Sequence, residues 1–89
     1  MKYIWVFNGK MARFPSALFI SLKDAKDWIN HNKLTGVLTK YPVDIGIYDW
    51  AIKNSLFRPM EDKHNSSSFI GSFTCASMDH LHFEDGEED

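Results

Sequence analysis

The sequence predicts an α+β fold: a small single domain with a mainly antiparallel sheet and two helices on one face, in the order ββαβαββ. Three observations predict it. The 89 residues, 44 % hydrophobic and 25 % charged, suffice for one core and no second one. Short β-branched and aromatic runs, bounded by Asn, Gly, Pro and Ser, recur along the chain. Between them lie two segments whose apolar residues return at helical spacing. The domain is expected to span residues 1–84, leaving residues 85–89 as an acidic C-terminal tail.

Tyr3-Ile4-Trp5-Val6-Phe7 is apolar on both alternating faces, as a strand covered on both sides would be. Asn8-Gly9 follows, a dipeptide suited to a type I′ turn, so a reversal into Met11–Phe14 with positive φ at Gly9 is expected. Pro15 interrupts, and Ala17–Ile20 resumes extended structure. Ser21 is placed to cap a helix with Asp24 in its first turn, and Leu22, Ala25, Trp28 and Ile29 form its apolar face. Gly36 is expected to stop that helix in a left-handed conformation before the strand Val37–Tyr41. A second helix over about Ile47 to Ser55 places Ile47, Tyr48, Ala51, Ile52 and Leu56 on one arc, with Trp50 at its edge. Residues 58–68 read as a mobile surface loop. Phe69–Thr74 and His80–Glu84 read as the last two strands.

Ten Lys and Arg against 12 Asp and Glu give a net charge of −2, with no basic footprint for nucleic acid. The balance is uneven along the chain. Residues 84–89 hold five acidic groups, which leaves residues 1–83 with 10 basic and 7 acidic. No apolar run approaches a membrane span or a signal-peptide core, and the lone Cys75 excludes an internal disulfide. A cytoplasmic protein is expected.

The candidate chemistry is sparse. Most of the 13 aromatic residues, including Trp5, Phe7, Phe14, Trp28, Phe73 and Phe83, are expected in the core. Trp50, beside Asp49, reads either as a half-exposed contact anchor or as a cover for the core rim. His80, His82 and Glu84 share a strand face and supply zinc-type donors, although any strand with its polar side outward shows the same alternation. Cys75 and His80 lack the orienting group of a nucleophilic pair, and Asp24 and Asp27 lie among lysines on a solvated helix face. No cofactor and no catalytic residue is indicated. Glu84, Asp85, Glu87, Glu88 and Asp89 read either as a solvated terminus or as an acidic surface that steers a basic partner.

The segments Tyr3–Gly9, Arg13-Phe14-Pro15-Ser16, Tyr41-Pro42-Val43-Asp44, Tyr48–Ile52 and Phe69–Thr74 resemble a family of small bacterial single-domain proteins of unknown function. That resemblance implies no activity and no catalytic residues. In size and in lack of chemistry the chain is also similar to immunity proteins that neutralise bacterial toxin domains. The expected function is therefore a non-enzymatic protein-binding module, toxin-neutralising in type, that covers a basic partner through Asp49, Trp50, Glu84, Asp85, Glu87 and Glu88. Neither nucleic acid nor membrane is an expected partner. Two alternatives stand beside it: a small metal-binding or catalytic domain using His80 and His82, and a self-associating structural protein whose first strand is apolar on both faces.

Overall fold

The computed structural model describes residues 1–89. It is an α+β structure with one five-stranded, wholly antiparallel sheet. The elements are β1 (Tyr3–Gly9), β2 (Ala17–Phe19), α1 (Leu22–His31), β3 (Gly36–Pro42), α2 (Ile47–Lys53), α3 (Ser67–Ser72), β4 (His80–Glu84) and β5 (Glu87–Glu88). A 3-10 turn, Asp62–Asn65, precedes α3. Residues 1–43 with 78–89 form one compact unit, and residues 44–77 another.

The first unit holds the sheet, in the order β2-β1-β3-β4-β5. Its backbone is the ladder of β1 with β3, seven pairs from Tyr3↔Pro42 to Gly9↔Gly36. Alternation sorts the side chains. Phe7, Leu38, Leu81 and Phe83 turn to one side, where Ala25 and Ile29 of α1 complete the buried core, and Trp5, Phe19 and Trp28 pack around it. Trp28 meets Phe7 edge to face at 5.8 Å and Phe19 at 5.6 Å. The expected apolar face of α1 is the one buried. Its start is also as expected, with Ser21 Oγ accepting from the Asp24 amide at 3.1 Å. On its solvent side Lys23 donates to Asp27 at 2.7 Å, a bond that raises the lysine pKa.

α1 ends differently from expectation. The left-handed residue is Lys33 (φ 54°), not Gly36. The Lys33 amide donates to Asn30 and the Leu34 amide to Ile29, the paired bonds of a Schellman ending. Asn32 adds a side-chain bond from Nδ2 to the Trp28 carbonyl at 3.0 Å. α2 ends on the same device: Ser55 is left-handed (φ 59°), Ser55 and Leu56 donate to Ile52 and Ala51, and Asn54 Nδ2 donates to the Trp50 carbonyl. Both helices thus close on Asp-Trp-x-x-x-Asn-x-Leu, at Asp27–Leu34 and Asp49–Leu56.

Gly36 has another task. A Cβ there would lie 2.2 Å from the Asn8 carbonyl oxygen and 2.9 Å from Gly9 Cα, so only glycine lets β3 start this close to β1. That pairing also explains why Asn8-Gly9 is no hairpin. β1 runs through both residues, and the chain turns over Gly9–Ala12 with Met11 left-handed (φ 65°). The second strand is Ala17–Phe19, and Phe14, expected in the core, is 72 % exposed.

The second unit holds α2, the 3-10 turn and α3. Phe69–Thr74 is not a strand. Phe69 and Phe73 are four apart, a spacing that fits one face of a strand and one face of a helix alike, and the cap decides. Ser66 Oγ accepts from the Phe69 amide at 3.1 Å and starts α3. Phe57, Phe69, Phe73 and Tyr48 then cluster with ring centroids 4.9–6.3 Å apart. The expected loop at 58–68 is likewise structured in part. His64 Nδ1 accepts from the amides of Met60 and Glu61, so this ring carries its hydrogen on Nε2. On α2, Tyr48, Trp50 and Ala51 are buried, whereas Ile52 and Leu56 of the expected arc are exposed.

Gly36→Ala is expected to cost more than about 3 kcal/mol, because the new methyl group meets backbone on a central strand. Gly9→Ala, whose Cβ has 3.9 Å of clearance, should be neutral or gain a few tenths of a kcal/mol. Urea denaturation of the two variants checks both.

Candidate functional site

The acidic C-terminal segment is not a free tail. It folds back as a hairpin, and the local cause is Asp85-Gly86. Both residues have positive φ (50° and 88°), the conformation of a type I′ two-residue turn. β4 and β5 pair on either side of it, Glu84 opposite Glu87 and Phe83 opposite Glu88. The turn is then fastened to the segment that follows α1. The Gly86 amide donates to the Leu34 carbonyl at 2.8 Å, and the Asp85 amide to Thr35 Oγ1 at 3.0 Å. Gly86 is buried, and a Cβ on it would come within 3.1 Å of backbone atoms of Asn30 and Lys33. A run of like charge is thus held by backbone bonds and by a glycine with no room to spare.

Alternation then divides the carboxylates. Glu88, paired with Phe83, belongs to the helix side of the sheet, and Lys26 of α1 meets it at 3.2 Å. Glu87 accepts a long bond of 3.5 Å from Asn30 Nδ2. Glu84, Asp85 and Asp89 form no ion pair. Glu84 and Glu87 stand directly opposite each other, and like charges in that position oppose strand pairing. The backbone holds them there regardless. A cation brought between them would relieve the repulsion.

Beside the hairpin an open hollow of about 450 Å³ is lined by Asn8, Lys10, Thr35, His82, Glu84 and Asp89, among others. His82 and Glu84, two of the residues singled out in the sequence, therefore share one wall. The His80 and His82 rings are 5.1 Å apart, and His80 Nδ1 is bonded to the Met78 carbonyl oxygen at 2.7 Å. No group of three or more His, Cys, Asp or Glu side chains is gathered to hold a metal ion. Cys75 is half-buried in the second unit.

Trp50 and Asp49 part company. Asp49 is exposed in the first turn of α2, while Trp50 is buried, 9 % exposed, with an indole Nε1–H that has no partner. Of the two roles the sequence offered for this ring, half-exposed contact anchor or cover for the core rim, the first does not hold: Trp50 is buried together with Tyr48 and Ala51. Four of the exposed large apolar side chains, Met11, Phe14, Leu18 and Ile20, lie on β2 or just beside it in the chain.

A family model described as Domain of unknown function (DUF7710) matches residues 4–89. The chain belongs to that family. The match takes in all the strands and helices of this DUF7710 member except Tyr3, the first residue of β1, and includes the acidic hairpin. No curated protein and no solved structure matches the chain significantly. No helix is long and apolar enough to cross a membrane.

Gly86→Ala is expected to loosen the hairpin and cost about 1–2 kcal/mol, since it adds strain at positive φ to a crowded contact. Amide hydrogen exchange should show the loss first at Gly86 and Asp89, whose N–H groups bond to Leu34 and His82.

Proposed function

We propose that this DUF7710 member is a non-enzymatic protein-binding module whose hairpin Glu84–Asp89 receives a basic patch of a partner protein. The observation that carries this reading is the opposed pair Glu84 and Glu87, held face to face by β4 and β5 with Asp85 and Asp89 beside them. A sequence selected for stability alone would not place like charges there. Partner lysine or arginine groups would relieve that repulsion, and exposed charges of this kind accelerate encounter and select against acidic competitors. A toxin domain with a basic active surface is one partner of this chemistry. Asp49, exposed on α2, belongs to the other unit and Trp50 is buried, so this reading rests on the hairpin alone.

The test uses neutralisation, not truncation, because removing residues 85–89 also removes β5 and the buried Gly86. In Glu84→Gln/Asp85→Asn/Asp89→Asn the hairpin's backbone bonds persist and three of its five acidic side chains are neutral, only Glu87 and Glu88 remaining charged. The parent chain, immobilised, should retain from lysate of its source cells a basic protein that the variant does not. With that protein in hand, stopped-flow measurement should show a slower association for the variant and for the parent at raised salt, with dissociation little changed. Equal capture and equal association rates for the two chains at low salt would sink the proposal.

Glu84→Gln alone should raise folding stability by about 0.2–1 kcal/mol through loss of the opposed charge, while slowing association. Thermal melting and the same kinetic series measure the two effects.

A further inference from the structure

The two edges of the sheet are unlike. β5 ends the sheet with carboxylates, whereas β2 ends it with an apolar strand. An edge strand offers unpaired N–H and C=O groups, and proteins commonly guard it with charged side chains. Here charge supplies no guard, since no charged residue occurs from Phe14 to Leu22, and only the shortness of β2 and Pro15 before it limit pairing. In place of charge stand large apolar groups open to solvent: Leu18 is 63 % exposed, Ile20 88 %, Phe14 72 % and Met11 92 %. Leu18 lies on β2, Ile20 is the residue just beyond its end, and Met11 and Phe14 belong to the loop that leads into it.

We propose that this edge is a self-association surface, on which β2 pairs antiparallel with β2 of a second copy of the chain about a two-fold axis. Charge argues for the second copy. A strand that pairs with itself brings each side chain close to its own symmetry mate, so any charge near the axis would meet its like; β2 itself has none, the nearest before it in the chain being Arg13, whose guanidinium lies over the Phe14 ring in the preceding loop. Area argues the same way. The four side chains expose roughly 500 Å² of apolar surface per copy, as much as the largest patch on a typical monomer. Two copies would cover about 1,000 Å², the lower bound for a specific interface, which fits a reversible dimer. The opposite edge cannot compete, because β5 would set Glu87 and Glu88 against Glu87 and Glu88.

The test is sedimentation equilibrium of the full chain from low micromolar to several hundred micromolar. The expected result is a reversible shift to twice the monomer mass. Leu18→Lys should weaken the dimer at least about tenfold by placing two ammonium groups at the axis. Ile20→Lys, at the more exposed position, should weaken it too and serves where Leu18→Lys does not fold; circular dichroism and melting establish folding. Glu84→Gln/Asp85→Asn/Asp89→Asn should dimerise as the parent does, so this result is independent of the partner reading above. A parent chain that stays monomeric throughout would overturn the proposal. So would a dimer unchanged in both folded lysine variants, or one lost on neutralising the hairpin.

Discussion

Three consecutive residues, Leu34-Thr35-Gly36, tie the sheet-bearing unit together. The Leu34 amide closes α1 and its carbonyl receives Gly86. The Thr35 carbonyl accepts from Lys10 at 2.9 Å, and its hydroxyl from Asp85. Gly36 lies so close to Asn8 and Phe7 that no side chain fits. The helix end, the turn after β1 and the acidic hairpin therefore converge on one short connection. Its geometry is set by the left-handed Lys33, which redirects the chain from the helix axis into the sheet. A shift there would move β3 against β1 and release the hairpin together, because all these contacts are made by the same three consecutive residues.

What the sequence discloses follows the range of the forces involved. α1 is legible because its cap, its first-turn carboxylate and its apolar stripe are local signals that agree with one another. β1, β3 and β4 are legible for the same reason. Asn8-Gly9 and Asp85-Gly86 show the limit. Both dipeptides carry the same turn chemistry, yet only the second forms the turn. Asn8 and Gly9 have strand partners 29 and 27 residues away in Val37 and Gly36, and that ladder overrides the local preference. Asp85-Gly86 is masked by its neighbours, since a run of five carboxylates reads as solvated chain. The bonds that order it reach back fifty or more residues, to Asn30, Leu34 and Thr35. Of the candidate site, the residues were legible and their arrangement was not. Glu84 and His82 were visible as charged and titratable groups, but nothing local says that Glu84 faces Glu87.

The aromatic residues teach a related lesson. Phe14 and Trp50 exchange the environments that composition suggests, the phenylalanine outside and the tryptophan inside. Trp50 occupies the same place in its helix ending as Trp28 does in α1, one residue after an Asp and four before the capping Asn. In each case the tryptophan carbonyl receives the asparagine side chain, so the ring's position is fixed by a backbone device as well as by its own hydrophobicity. A burial forecast made residue by residue has no access to that coupling.

The unlike edges of the sheet bear on how far any assembly could grow. A chain with two apolar edges would add copies head to tail without closure, and open association of that kind leads to fibres. With one edge neutral and the other acidic, pairing of the acidic edge with itself is disfavoured, whereas pairing of the neutral edge with itself is not and closes after two. Glu87, one of the opposed carboxylates that weaken the β4–β5 pair, thereby performs a second task. On the edge strand itself, Glu87 and Glu88 disfavour pairing with a second β5, and in the proposed reading the same hairpin receives a basic partner. At a spacing of about 4.8 Å per strand, two sheets joined at β2 would set their acidic hairpins roughly 43 Å apart. At that separation, two partner domains narrower than about 43 Å would fit side by side on one dimer.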